Sequence, residues 1–125
     1  MRRLLSVSCL LLLPLVAQAQ QTDARAAFAA AFQETLQKPT DAPTLLRYAR
    51  LAVQVGDLEA AVSAYERFLM IDADQPRVRY ELGVLYYRLR SYEAARAYFE
   101  TARASAKAAN DVRAGAGEYI AEIER

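Results

Sequence analysis

The sequence predicts an all-α protein, a right-handed stack of helix hairpins with one further helix at each end. Three observations lead there. Segments 42–75 and 76–109 match in pattern at an offset of 34 residues, a period typical of one helix–turn–helix unit. The matched positions carry small or aromatic residues where two antiparallel helices must cross: Ala49/Gly83, Ala61/Ala95 and Tyr65/Phe99. Each unit also has a turn signal near its middle, Gly56-Asp57 in the first and Arg90-Ser91 in the second.

The elements follow in order. Met1-Arg2-Arg3 is a positive start, Leu4 to Leu13 is apolar apart from Ser6 and Ser8, and Pro14 precedes Ala17-Gln18-Ala19. That is the pattern of a secretory signal peptide spanning residues 1–19 and cut after Ala19, which implies export to the periplasm. The apolar run is shorter than the roughly 20 residues a membrane span needs. A lipidated Cys9 is the alternative. It is badly placed, because the most apolar stretch, Leu10 to Leu13, follows the cysteine instead of preceding it.

Residues 20–41 are expected to form an N-terminal capping helix and linker. Gln20 and Gln21 make a flexible start, Thr22 or Asp23 caps the helix, and Ala24, Ala27, Phe28, Ala31, Phe32 and Leu36 share one face. Pro39 breaks the chain, and Thr40 or Asp41 can cap the next helix, about 42–54. Gly56 supplies a left-handed turn residue and Asp57 a cap for the helix 58–71. Pro76 fits a first helical turn, opening a helix expected to reach Leu89. Arg90 stands where Gly56 stands, so that turn must keep a negative φ or hold arginine in a costly conformation. Ser91 is then expected to cap a helix running from Tyr92 to about Lys107, and Asn110-Asp111 to cap a C-terminal capping helix, 112–125. Two hairpins alone would leave apolar faces bare at both ends of the stack, which the flanking helices would cover.

Composition narrows the function. The chain contains no histidine, and its one cysteine, Cys9, lies in the leader. The remainder therefore lacks a disulfide, a thiolate or imidazole for catalysis, and the common zinc ligands. An enzyme is not expected, nor a cofactor or metal. Asp72 and Asp74 form the close acidic pair of a loop, but without a glycine-rich or histidine-bearing context they read as a solvated linker. The 16 basic and 15 acidic residues nearly cancel, so no global field favours nucleic acid. Apart from Lys38 and Lys107 the bases are arginines, which suits directed contacts with carboxylates and rings.

The second unit, with Leu82-Gly83, Tyr86, Ala95, Phe99 and Ala102 at the expected spacing, resembles the tetratricopeptide repeat; the first carries Ala49, Ala61 and Tyr65 at the same places. Arg79 replaces the usual tryptophan, Ala73 and Lys107 the usual prolines, and Phe68 a small residue. The resemblance implies a TPR-like α-α superhelix that binds other proteins. The run from Gly56 to Leu89, with the ending Tyr119 to Arg125, also looks like the periplasmic repeat domain that precedes an outer-membrane β-barrel in surface-lipoprotein assembly modulators. That kinship implies a role in envelope assembly, with this chain a truncated relative or a free-standing version.

In such arrays the concave face is lined by first-helix residues that stay out of the core. Here these are Leu46, Arg50, Val53 and Gln54, then Arg77, Tyr80, Val84, Tyr87 and Arg88, then Ala114, Glu118 and Glu122 on the last helix. Tyrosine and arginine combine apolar area with directed hydrogen bonds, as binding hot spots do. The expected ligand is an extended or helical segment of a partner protein, with Arg50 and Arg88 pairing to its carboxylates. The alternatives are packing between repeats for Tyr80 and Tyr87, and internal pairing with Glu81 or Glu118 for the arginines. Leu46 and Glu81 stand where the clamp for C-terminal carboxylates found in some repeats of this type needs lysine and asparagine. Self-association through residues 112–125 is a further possibility, as an open solenoid end exposes apolar surface.

Overall fold

The computed structural model describes residues 13–125, which form six helices: α1 (Leu13–Gln37), α2 (Ala42–Val55), α3 (Leu58–Ile71), α4 (Pro76–Arg88), α5 (Tyr92–Ala104) and α6 (Asn110–Ile123). Consecutive helices pack on each other, and α4 also packs on α6. Most of the expected leader lies outside the described residues.

The hairpin α2/α3 has the boundaries that its caps dictate. The Asp41 carboxylate accepts from the amide of Thr44 at 3.0 Å and from its hydroxyl at 2.6 Å, and these bonds hold the carboxyl below its usual range. Asp57 accepts from the Ala60 amide at 3.0 Å. Both hairpin turns close in the same way. The amides of Gly56 and Asp57 donate to Val53 and Ala52, and those of Arg90 and Ser91 donate to Tyr87 and Tyr86. Gly56 has φ +84° and Arg90 φ +61°, so the second turn does hold arginine in the left-handed region.

Core packing follows the repeat. Ala49, Ala61, Ala95 and Phe99 are fully buried and Tyr65 is 2% exposed. A Cβ added to Gly83 would stand 2.7 Å from the Phe99 ring, so this crossing requires glycine. Leu45, Leu82 and Leu85 fill the layer between the hairpins, while Ala116 and Ile120 of α6 close over Ala95 and Phe99.

Several boundary expectations are corrected. α1 does not start at a Thr22 or Asp23 cap. The helix is continuous from Leu13, and the Thr22 hydroxyl donates back to the Gln18 carbonyl at 2.9 Å within it. Its packed face is narrower than expected, made by Phe28, Ala31 and Thr35, with Ala27 exposed and Leu36 61% exposed. Phe28 stacks on Tyr48 at 5.1 Å. α5 stops at Ala104 instead of reaching Lys107. Ser105 leaves the helical region, its hydroxyl donates to Asp74 at 3.1 Å, and Lys107 pairs with the same carboxylate at 3.0 Å. Ser91 makes no side-chain cap bond, and α6 starts at Asn110 with Ala109 in the capping position, while the Asp111 carboxylate in its first turn pairs with Arg77 at 2.6 Å. α6 ends at Ile123, two residues short of Arg125.

Candidate functional site

The first helices of the successive units, α2, α4 and α6, share one side of the stack, and their spacing decides where it opens. α4 and α6 touch because Gly115 leaves room: a Cβ there would stand 2.7 Å from the Tyr80 hydroxyl oxygen. One repeat earlier, the place of Gly115 is taken by Glu81 and that of Tyr80 by Leu46. There the backbones of α2 and α4 stay farther apart, and a cavity of about 380 Å³ opens between them.

Val53, Val84 and Leu85 give this cavity an apolar floor, and Arg50 and Arg88 stand at it as exposed cations. Neither arginine has a carboxylate within ion-pair distance among the described residues, which disposes of the internal pairing with Glu81 or Glu118. Glu81 is instead engaged by the Tyr65 hydroxyl, and both side chains line the cavity. Burial and that carboxylate push the Tyr65 phenol well above its usual range, with Arg50 opposing the shift.

Two further cavities adjoin the first and share lining side chains with it. One of about 470 Å³ shares Arg50 with it and adds Leu46, Leu51 and Gln54 on α2. The other, of about 550 Å³, shares Tyr80 and Tyr119 with it and adds Glu118, Glu122 and Arg125 on α6. The result is a groove crossing α2, α4 and α6.

Most of the residues chosen from the sequence are therefore brought together: Leu46, Arg50, Val53, Gln54, Tyr80, Val84, Arg88 and Glu118 all line the groove. Two are otherwise occupied. Arg77 pairs with Asp111, and Tyr87 packs edge-on against Tyr92 and Tyr119 at 5.3 and 5.0 Å. Tyr80 does both jobs, packing 5.7 Å from the Phe99 ring while lining two cavities. Burial, then Tyr119 and the Glu118 carboxylate, raise its phenol. Sequence reasoning missed Tyr65, Glu81 and Tyr119. Tyr65 and Tyr119 sit at core-facing positions of their helices, and nothing local signals that their ring edges also reach the groove.

The loop carboxylates Asp72 and Asp74 are tied into the junction between hairpins, Asp72 by the Gln75 amide at 2.7 Å and Asp74 by Ser105 and Lys107. Among the described residues no group of three or more His, Cys, Asp or Glu could hold a metal ion, and no helix is long and apolar enough to cross a membrane.

Fold and groove define a helical repeat scaffold with an open concave face. A tetratricopeptide repeat model matches residues 49–115, more than half of the chain, and the protein belongs to that family. Among solved structures it is similar to PcrH in complex with the chaperone binding region of PopD, at 24% identity and a TM-score of 0.66, covering 98% of this chain and 95% of that one. PcrH from Pseudomonas aeruginosa matches at 19% identity and 0.61, covering 83% and 93%. PcrH with the chaperone binding region of PopB matches at 20% and 0.54, covering 94% and 98%. These likenesses establish the fold. A comparison with curated proteins finds no match.

Proposed function

We propose that the protein is a non-enzymatic binding module that holds a segment of a partner polypeptide in the groove across α2, α4 and α6. The observation that carries this reading is the apolar cavity between α2 and α4, flanked by two arginines without carboxylate partners among the described residues. Magnitudes assign the roles. An apolar side chain buried on Val53, Val84 and Leu85 would contribute about 1.5–3 kcal/mol, against about 0.2–1 kcal/mol for each exposed ion pair. Affinity then comes from the floor, and Arg50 and Arg88 select for carboxylates beside the buried residue. The similar PcrH structures with bound chaperone binding regions of PopD and PopB support a polypeptide ligand.

The reading is tested by selecting random peptides on the immobilised protein and measuring their affinity for two variants. Val84→Glu places a charge in the groove, whereas Met70→Glu alters a side chain that is 86% exposed on α3. Selected peptides should lose at least about tenfold in affinity for V84E, equivalent to one buried apolar side chain, and none for M70E. Peptides that bind both variants like the parent would sink the proposal.

The same module is proposed to act after export to the periplasm, in envelope or outer-membrane assembly, in keeping with the resemblance of its sequence to barrel-associated repeat domains. Its support is the leader pattern together with the state of α1. Residues 15–23 are exposed throughout, and the packed face of α1 starts at Phe28. Cleavage after Ala19 would leave the packed part intact. Mass spectrometry of the envelope fraction should find a chain starting at Gln20; an uncut chain in the cytoplasm would rule export out.

A further inference from the structure

The three adjoining cavities differ in charge along the groove, and that order bears on what can occupy it. At the α2/α4 end stand Arg50 and Arg88, both exposed and free of carboxylate partners among the described residues. The acid at that end, Glu81, is already held by the Tyr65 hydroxyl, and the two cations outnumber it. Arg47, also on α2, is bound to Glu34 and adds little. At the α6 end the balance is reversed. Glu118 is exposed and has no ion-pair partner among the described residues, and Glu122 pairs with Arg125 at 3.3 Å, so one carboxylate is in excess. Tyr80 and Tyr119, shared by the two cavities, separate the ends.

Resting on the groove as the binding site, we propose that its occupant is a polypeptide segment of ordered charge: an apolar centre over Val53 and Val84, an acidic flank toward Arg50 and Arg88, and a basic flank toward Glu118. Potentials that match along an interface select partners and fix the direction in which they lie. An evenly acidic segment would meet repulsion at α6, and an evenly basic one at α2 and α4. A segment carrying both signs in order satisfies both ends.

Three labelled synthetic peptides with the same Leu-Val-Leu centre test this by fluorescence anisotropy: one with Asp-Asp on one flank and Lys-Lys on the other, one with acids on both flanks, one with bases on both. At low salt the mixed peptide should bind best, by about fivefold over either of the others, with the advantage disappearing as salt screens the flanks. Glu118→Lys should make the two-acid peptide the best ligand, and Arg50→Glu with Arg88→Glu the two-base peptide. All of these positions are exposed, and circular dichroism checks that the variants fold. Equal binding of the three peptides to every variant would overturn the charge order and leave the groove standing. Failure of all three to bind any variant would overturn the groove as well.

Discussion

The Tyr65 hydroxyl on α3 donates to the Glu81 carboxylate on α4, joining the two hairpins at the wall of the groove. A mirror of this bond lies nearby, where the Tyr86 hydroxyl of α4 donates to Glu66 of α3. Two phenols thus exchange hydrogen bonds with two carboxylates across the one junction between repeats. Such bonds do more than hold helices, because the Tyr65–Glu81 pair also occupies a Glu81 carboxylate that lines the same cavity as Arg50 and Arg88.

Removing the Tyr65 hydroxyl should therefore cost stability and change the groove together. Tyr65→Phe is expected to destabilise the fold by about 1–2 kcal/mol, the loss of a largely buried hydrogen bond to a charged group. Denaturant titration measures the first effect. Weaker binding of acidic peptides measures the second, since the freed Glu81 would then neutralise one of the arginines.

Both bonds make stability depend on alkaline pH. The Glu66 carboxylate pushes the Tyr86 phenol up to about 12 from an ordinary 10.0, with burial adding to the shift, and Tyr65 is raised further. Because the folded values lie above the unfolded one, this stability is fully present below pH 10 and is lost as pH rises through the folded values. The denaturation midpoint should hold to about pH 10 and then fall, and tyrosinate absorbance should rise late. A variant with Tyr65→Phe and Tyr86→Phe should show a flatter decline; an unchanged slope would refute the assignment.

The two hairpin turns make opposite predictions. Gly56→Ala forces a Cβ into φ +84° and should destabilise by about 1 kcal/mol. Arg90→Gly relieves φ +61° and should raise the melting temperature, with a gain of up to about 1 kcal/mol.

Glycine at the two tight contacts should also behave differently. At Gly83 a methyl group meets the ring of fully buried Phe99, and Gly83→Ala is expected to cost about 1–3 kcal/mol through overpacking. At Gly115 the obstacle is the hydroxyl end of Tyr80, which can swing toward the groove. Gly115→Ala should leave the melting temperature within a few degrees of the parent while altering peptide affinity, because alanine also favours the helix by about 1 kcal/mol.

The helix hairpins, their period and the caps at Asp41 and Asp57 are legible in the sequence because each depends on residues within a few positions of one another. The membership of the groove is legible in part. Arg50, Val53, Val84 and Arg88 follow from helical spacing once the repeat is seen. The end of α5 is less so, since it depends on Asp74 reaching Ser105 and Lys107 across the stack.

By itself the sequence determined the repeat, the buried alanines and the helix faces, since helical periodicity and steric size are local properties. Only the tertiary structure decided where the stack opens. Glu81 and Gly115 hold the same place in successive repeats, yet one contributes a carboxylate held by Tyr65 and the other a bare backbone against Tyr80. That difference in what meets across two helices leaves a cavity between α2 and α4 and brings α4 against α6.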